Sequence, residues 1–359
     1  PIKIGLIMCT EHNNHRDNCK LLGMTRALEL AQLGTGKVSP NPLVGCTIIK
    51  DNVIIAEGWH KQFGAAHAEA DAISKLTKHD LKQATLICNL EPCSHHGKTP
   101  PCAEKIVACG IKHVVISQLD PNPCVSGRGV EYLEKNGVRV EIGLLEKEAK
   151  QLNHDYNYFI LHNRPFFCGK WAMSLDGKMI SCDKNSKISN AHSNVITHQL
   201  RQKYSAIIVG VNTVIADDPV LNSRLQPDVT LNIDPAPIIL DSNGRTPLDS
   251  RILSSDRKKQ TIIAVTPAAS IDFINTVQNK GHIIWRLRKN KYNQVDLQDL
   301  SVKMMQNNIC SALVEGGKQV LDSFFSEDLI HQSHTFIAPN YFGKMHQRKQ
   351  LQVRQQEDA

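Results

Sequence analysis

The chain has 359 residues, of which 41% are hydrophobic and 21% charged, a composition that excludes a disordered or fibrous protein and predicts two globular domains. No apolar run approaches the roughly eighteen residues that cross a membrane, and the run at 4–8 is too short for a secretory signal, so we predict a cytoplasmic protein that uses no membrane. A net charge of +7 suits anionic small molecules as well as nucleic acid.

The N-terminal half alternates helices with strands. Apolar residues at helical spacing predict a helix over 20–33, and the turn at 39–42 carries two prolines around Asn41. The other predicted elements are strands at 44–49, 53–56, 84–90, 113–117 and 138–142 and helices at 67–76, 102–109 and 129–136. This alternation predicts an α/β sandwich with a largely parallel sheet, which we place at 20–146.

A second α/β domain is predicted after a charged connector at 147–164. It would span 165–342 and be followed by a polar, glutamine-rich tail at 343–359. Its predicted strands lie at 166–172, 206–211, 237–241, 261–265, 282–285 and 312–315, and its predicted helices at 190–203 and 317–325.

The residues that carry chemistry in the first half are His67, Glu69, Cys93 and Cys102. A His-x-Glu pair followed by Pro-Cys and a further cysteine is the signature of zinc-dependent nucleobase deaminases. One imidazole and two thiolates can hold Zn²⁺ and leave a fourth position open for water, while a carboxylate that does not bind the metal moves the proton. We therefore predict zinc ligands at His67, Cys93 and Cys102 and a proton shuttle at Glu69.

Two other classes of protein remain open at this point. A zinc-stabilised interaction domain would need a fourth protein ligand, for which His95 or His96 is the candidate. A nucleic-acid deaminase or RNA-binding protein would be expected to carry a basic stripe with interleaved aromatic residues, but aromatic residues make up only 5% of the chain. We therefore expect no nucleic-acid partner.

The second cysteine of the signature is displaced, because eight residues separate Cys93 from Cys102 where generic deaminases have two. With this insertion, residues 90–102 (LEPCSHHGKTPPC) closely resemble the zinc motif of the bifunctional riboflavin-biosynthesis deaminase/reductase family. Further segments resemble the same family from about residue 20 to 342: SPNPLVG at 39–45, HAEA at 67–70, DPNP at 120–123, KWAMSLDGK at 170–178, TVIADDP at 213–219 and VEGG at 314–317.

For the first domain, the resemblance implies a cytidine-deaminase-like α/β/α sandwich. It implies zinc-dependent hydrolytic deamination of 2,5-diamino-6-ribosylamino-4(3H)-pyrimidinone 5′-phosphate. Four residues match positions that contact the pyrimidine and its ribosyl phosphate: Asn41, His60, His95 and Lys98.

For the second domain, the resemblance implies a dihydrofolate-reductase-like fold. This domain would use NADPH to reduce the ribosyl group of 5-amino-6-(5-phosphoribosylamino)uracil. Cofactor contacts are expected at Ala172, Thr213, Asp217, Ser242 and the run from Gly317, and substrate contacts at Ser186, Arg201, Leu221, Arg224 and Glu315. Lys170 and Asp176 are expected to shape this site.

Two departures from the family concern the reductase half. Lys187 stands where relatives carry a tryptophan against the cofactor, and the glutamine-rich tail replaces apolar structure. They predict robust deamination with weaker reduction, and the alternative is an enzyme that only deaminates and has a degenerate reductase half. The family also implies a homo-oligomer, either a dimer or a tetramer.

Overall fold

The computed structural model describes residues 15–94, 100–123, 125–179, 190–224, 233–254, 259–341 and 349–350. The chain divides into two compact units, Pro1–Arg164 and Pro165–Ala359. Among the described residues, no helix is both long and apolar enough to cross a membrane.

The first unit is a mixed five-stranded sheet with helices packed against it. Its strands are β1 (Gly45–Lys50), β2 (Val53–Trp59), β3 (Thr85–Leu90), β4 (His113–Gln118) and β5 (Arg139–Ile142). Its helices are α1 (His15–Gln32), α2 (Ala68–Ile73), α3 (Lys78–Leu81), α4 (Cys102–Ala108), α5 (Arg128–Lys135), α6 (Glu146–Leu152) and α7 (His154–His162).

The order of the first sheet is β2-β1-β3-β4-β5, and β1 is antiparallel to both of its neighbours. Only β3, β4 and β5 are mutually parallel, so the prediction of a largely parallel sheet holds for that part alone. The β1–β2 turn explains the difference, because Asp51 and Asn52 both adopt positive φ angles (49° and 63°), as a two-residue hairpin turn requires.

Helix α2 lies directly on β2, and this contact positions the first part of the site. A Cβ atom on Gly58 would come within 2.2 Å of the Ala68 carbonyl oxygen, so only glycine permits this approach. His67 is the residue before α2, and Glu69 is its second residue. The close packing therefore holds both side chains at the sheet.

The segment predicted as a connector forms α6 and α7 and belongs to the first unit. Between these helices, the buried Asn153 amide accepts a hydrogen bond from the Leu43 N–H (2.8 Å) and donates one to the Leu43 carbonyl (2.9 Å). The Asn153 side chain thus satisfies both backbone hydrogen-bonding groups of Leu43, two residues after Asn41, in the way that a neighbouring β-strand does.

The second unit is built on a seven-stranded sheet in which every neighbouring pair is parallel. Its strands, in chain order, are β6 (Phe166–Ser174), β7 (Ala206–Gly210), β8 (Ala236–Leu240), β9 (Ile262–Val265), β10 (Ile283–Arg286), β11 (Ser311–Val314) and β12 (Gln332–Ala338). Its helices are α8 (Ala191–Lys203), α9 (Val211–Asp217), α10 (Ile271–Asn279), α11 (Leu297–Gln306) and α12 (Lys318–Ser326).

The strand order is β10-β9-β8-β7-β11-β6-β12, so β11 returns between β7 and β6. In open α/β sheets, ligands bind at the carboxyl ends of the strands where the order changes direction, here at β7 and β11. The sequence did not predict α9, α10, α11 or β12. Two short strands, β13 (Asn340–Tyr341) and β14 (Lys349–Gln350), pair antiparallel, so part of the segment predicted as a polar tail is paired.

Candidate active sites

Three side chains from separate segments of the first unit meet around one point. The ligand atoms of His67, Cys93 and Cys102 all lie within 4.8 Å of one another. Nδ1 of His67 is 3.4 Å from each of the two Sγ atoms. Ligand bonds of roughly 2.0–2.3 Å in tetrahedral geometry separate ligand atoms by about 3.5 Å, so these donors fit a zinc ion.

The backbone around the cysteines supports the thiolate form. The Cys102 N–H donates to Cys93 Sγ at 3.3 Å, and the Ala103 N–H donates to the Cys93 carbonyl at 3.1 Å. Hydrogen bonding from the Cys102 thiol, with further hydrogen bonds from His67 and the Cys102 N–H, lowers the pKa of the Cys93 thiol to about 4. Cys93 is therefore ready to bind a cation.

Glu69 is buried beside the ligands, with 3% of its surface exposed. Burial, reinforced by the negative charge of Cys93, raises the pKa of this carboxyl to about 7 in the metal-free chain. A carboxyl with a pKa near neutrality can both accept and release a proton at physiological pH.

His60 and Asn41 form a pair with a defined direction. The Ala66 carbonyl can only accept, so the His60 Nδ1–H donates to it (3.1 Å) and Nε2 is left as an acceptor. The Asn41 side-chain NH₂ therefore donates to Nε2 (3.1 Å). Burial lowers the pKa of His60, which keeps the ring neutral and maintains this arrangement. The Asn41 carbonyl oxygen is thereby oriented away from His60.

Glu91 is a supporting residue that sequence analysis missed. Its buried carboxylate accepts hydrogen bonds from four backbone N–H groups of the segment before and within α5: Asp120, Gly127, Gly129 and Val130. Because Glu91 stands two residues before Cys93, these bonds anchor the strand end that carries a zinc ligand. An acidic residue directly after a buried strand was the available signal.

In the second unit, an ion pair joins two predicted substrate residues. Arg201 Nε and Nη2 each donate to one carboxylate oxygen of Glu315 at 2.8 Å, and the two side chains are 14% and 8% exposed. Glu315 directly follows β11, where Val314 pairs with Gly169, so Lys170 of β6 lies beside it. Burial lowers the pKa of Lys170, an effect that the Glu315 charge opposes.

Replacing Glu315 by glutamine is expected to destabilise the second unit by about 3–5 kcal/mol, because Arg201 and Lys170 would lose their buried counter-charge. Amide hydrogen exchange of β7 and β11 measures this loss. The exposed pair Lys318–Asp322 supplies the control, since Asp322→Asn should change stability by less than about 0.5 kcal/mol. Equal protection in the two variants would contradict the prediction.

Three predicted cofactor residues gather at the carboxyl ends of neighbouring strands. Thr213 follows β7, Ser242 follows β8 and Gly317 follows β11. The Thr213 hydroxyl is 4.0 Å from where a Cβ atom on Gly317 would lie. Ala172 lies in β6 near the same edge. Asp217 is exposed at the last residue of α9, the helix that directly follows β7.

Asp241, the residue after β8, stabilises the following loop by hydrogen bonds to Thr246. One carboxylate oxygen of this fully buried side chain accepts from both the N–H and the hydroxyl of Thr246, each at 2.7 Å. Arg245 on the same loop donates to Asn212 Oδ1 at 2.9 Å, so its guanidinium lies beside the start of α9. Arg245 therefore places a cation beside the predicted cofactor residue Thr213.

The remaining predicted residues fall into two groups. Leu221 is buried and Arg224 is exposed on the loop after α9. His95, Lys98, Ser186 and Lys187 lie outside the described residues.

His198 of α8, which sequence analysis missed, accepts a hydrogen bond from the Arg224 N–H at 3.1 Å. Its position three residues before Arg201 on one helix was the available signal.

Comparison with family models matches both units. Residues 18–118 match the cytidine and deoxycytidylate deaminase zinc-binding region, and residues 165–357 match the RibD C-terminal domain. The chain is 41% identical over 322 residues to the riboflavin biosynthesis protein RibD of Actinobacillus pleuropneumoniae, covering 89% of this chain and 84% of that protein. It is 34% identical to the RibD protein of Escherichia coli over 337 residues, covering 89% of this chain and 88% of that one.

Solved structures agree with the sequence relatives. The Thermotoga maritima diaminohydroxyphosphoribosylaminopyrimidine deaminase/5-amino-6-(5-phosphoribosylamino)uracil reductase is 36% identical, with a TM-score of 0.80 over 92% of this chain and 89% of that one. RibD of Acinetobacter baumannii is 33% identical, with a TM-score of 0.81 over 91% of this chain and 88% of that one. The zinc-binding match coincides with the cluster of His67, Cys93 and Cys102, so zinc as a cofactor of the first unit is confirmed.

Proposed function

Since this chain belongs to the RibD family of bifunctional riboflavin-biosynthesis deaminase/reductases, we propose that its two units catalyse successive steps. The first unit would deaminate 2,5-diamino-6-ribosylamino-4(3H)-pyrimidinone 5′-phosphate. The second would reduce the ribosyl group of the resulting 5-amino-6-(5-phosphoribosylamino)uracil. The observation that carries this proposal is the cluster of three ligand side chains with the buried Glu69 beside it.

Deamination exchanges an exocyclic amino group for a carbonyl oxygen and releases ammonia. His67, Cys93 and Cys102 would hold zinc, which when bound would supply the Lewis acidity for activating water at neutral pH. Glu69, buried beside the three ligands, would take the proton of the attacking water and deliver it to the departing amino group. Asn41, oriented by His60, offers its carbonyl oxygen to a donor on the pyrimidine edge.

In the second unit, NADPH supplies the hydride when it is bound. Thr213, Ser242 and Gly317 would contact the cofactor at the carboxyl edge of the sheet. Arg201, Leu221, Arg224 and Glu315 would bind the phosphoribosyl substrate, with Arg224 as the exposed cation for its phosphate. Ser186 completes the proposed substrate contacts of this unit, and Ala172 and Asp217 the cofactor contacts. In the first unit, His95 and Lys98 complete the proposed contacts with the pyrimidine and its ribosyl phosphate.

The direct test is incubation of the full chain with the diaminopyrimidinone ribotide, with and without NADPH. We expect the aminouracil ribotide without NADPH and its ribityl form with NADPH. Formation of neither product would overturn the proposal. The deaminated product alone, under both conditions, would instead support the deaminase-only alternative.

We expect the second unit to bind NADPH more tightly than NADH. The two differ by the 2′-phosphate, which arginine recognises, and Arg245 is held beside the predicted cofactor residues with no carboxylate partner in the described part of the chain. Arg245→Gln should lower the affinity for NADPH about tenfold and leave NADH nearly unchanged. Calorimetric titration with 2′,5′-ADP and 5′-AMP, which differ only by the 2′-phosphate, measures this contrast, and an equal loss for both nucleotides would contradict it.

We further propose a homo-oligomeric, cytoplasmic enzyme that acts on small molecules. Five of the described cysteines carry free thiols, as expected in a reducing compartment: Cys46, Cys88, Cys93, Cys102 and Cys109. Domain limits of 20–146 and 165–342, joined by 147–164, are proposed for the catalytic cores. Light scattering would distinguish a dimer or tetramer from a monomer.

A further inference from the structure

The loop that carries Arg224 (residues 221–224, the Arg224 loop) is held by one face of α8. His198 and Arg201 stand three residues apart, so their side chains leave the helix on the same face. Arg201 Nη1 donates to the Asn222 carbonyl at 3.2 Å, and the Arg224 N–H donates to His198 Nδ1 at 3.1 Å. Two side chains of one helix thus bind two backbone groups of the loop.

The opposite side of the Arg224 loop is held as well. The Ser223 N–H donates to Asp234 Oδ1 at 2.9 Å, and the Ser223 hydroxyl donates to the Ile233 carbonyl at 2.7 Å. Leu221 adopts a left-handed φ of 53° and is buried. The backbone is therefore fixed, whereas Arg224 is exposed and has no ion-pair partner among the residues that the structure describes.

The hydrogen bond from the Arg224 N–H defines the tautomer and the protonation state of the His198 ring. A backbone N–H can only donate, so Nδ1 carries no proton and the ring is the neutral form with its proton on Nε2. The charged groups that face this ring are Arg201, Arg224 and Glu315, and Lys170 lies next to Glu315. Burial and the two arginines lower the pKa of His198, which favours the neutral form at physiological pH.

We propose that His198 is a positioning residue of the reductase, which fixes the backbone at Arg224 and so aims the Arg224 guanidinium at the phosphate of the substrate. The inference rests on the proposed function, because it assigns Arg224 to the phosphoribosyl substrate. A doubly protonated imidazole has no acceptor, so protonation of His198 breaks its hydrogen bond with the Arg224 N–H.

The test compares two substitutions in the full chain. His198→Leu removes the acceptor, whereas the side-chain oxygen of His198→Asn stands close to the position of Nδ1 and still accepts. We expect His198→Leu to raise the KM for the aminouracil ribotide about tenfold with little change in kcat, and His198→Asn to restore most of the loss. His192→Asn, an exposed histidine on the same helix, is the matched control. Deaminase turnover and NADPH affinity should be unchanged in every variant.

The pH dependence of the KM distinguishes a positioning role of His198 from a purely structural one, because a purely structural role predicts no difference in pH dependence between the wild type and His198→Asn. The substrate phosphate titrates near pH 6 for every variant, so the quantity to follow is the ratio of the wild-type KM to the His198→Asn KM. We expect this ratio to rise as the pH falls below the usual range of histidine. Calorimetric binding of the ribotide gives the same comparison without turnover.

Several outcomes would overturn the inference. They are an unchanged KM in His198→Leu, equal impairment of the leucine and asparagine variants, and a ratio that does not depend on pH. Each of these, with an active wild-type enzyme, leaves the proposed function intact. A wild-type chain that neither binds nor reduces the ribotide would overturn the proposed reductase function and this inference with it.

Discussion

Glu69→Gln is expected to lower the rate of deamination by about 10²- to 10⁴-fold while zinc stays bound. The amide has nearly the same shape as the carboxyl but cannot carry the proton from water to the leaving amino group. Glu69 is not one of the three ligand side chains, so the metal content should not change. The amide is neutral, so the substitution adds no buried charge at this site.

The measurement is ammonia release from the diaminopyrimidinone ribotide, together with zinc content by mass spectrometry. Glu131→Gln is the control, because Glu131 is an exposed carboxylate of α5 that pairs with Lys135 and lies outside the ligand cluster. Normal turnover of the Glu69 variant would exclude this residue as the proton shuttle. Loss of zinc would show instead that the carboxylate supports the metal.

Cys93→Ser is expected to abolish zinc binding at neutral pH and with it all deamination. A hydroxyl does not ionise where a thiol does, and hydrogen bonds already lower the pKa of the Cys93 thiol to about 4. Because metal binding contributes about 10–16 kcal/mol in small structural zinc sites, its loss should also lower the thermal stability of the first unit. The unit has a core of its own and should remain folded.

Zinc content and the melting temperature of the first unit test this expectation. Cys109→Ser is the matched control, because Cys109 ends the same helix α4 that Cys102 begins and lies outside the ligand cluster. Reduction by the second unit in the same sample reports whether the chain is intact. Full zinc occupancy in Cys93→Ser would refute the assignment of this ligand.

The sequence predicted the roles of residues that lie close together in the chain. His67 and Glu69 lie at the start of one helix, and Cys93 and Cys102 flank one loop, so their types and spacing sufficed to predict a zinc deaminase. The order of strands and helices could be predicted for the same reason, since hydrophobic periodicity is a local signal. All six predicted strands of the second unit begin within one residue of the observed ones.

Tertiary structure decided what depends on contacts between distant segments. The antiparallel pairing of β1 with β3, the pairing of Asn153 with Leu43 across 110 positions and the four N–H groups at Glu91 leave no periodic pattern in the sequence. The same holds for the His60 tautomer and for the contact of His198 with the Arg224 loop. A buried hydrogen bond depends on where the chain brings a donor and an acceptor together, and that position is set by the packing of the whole unit rather than by the neighbouring residues.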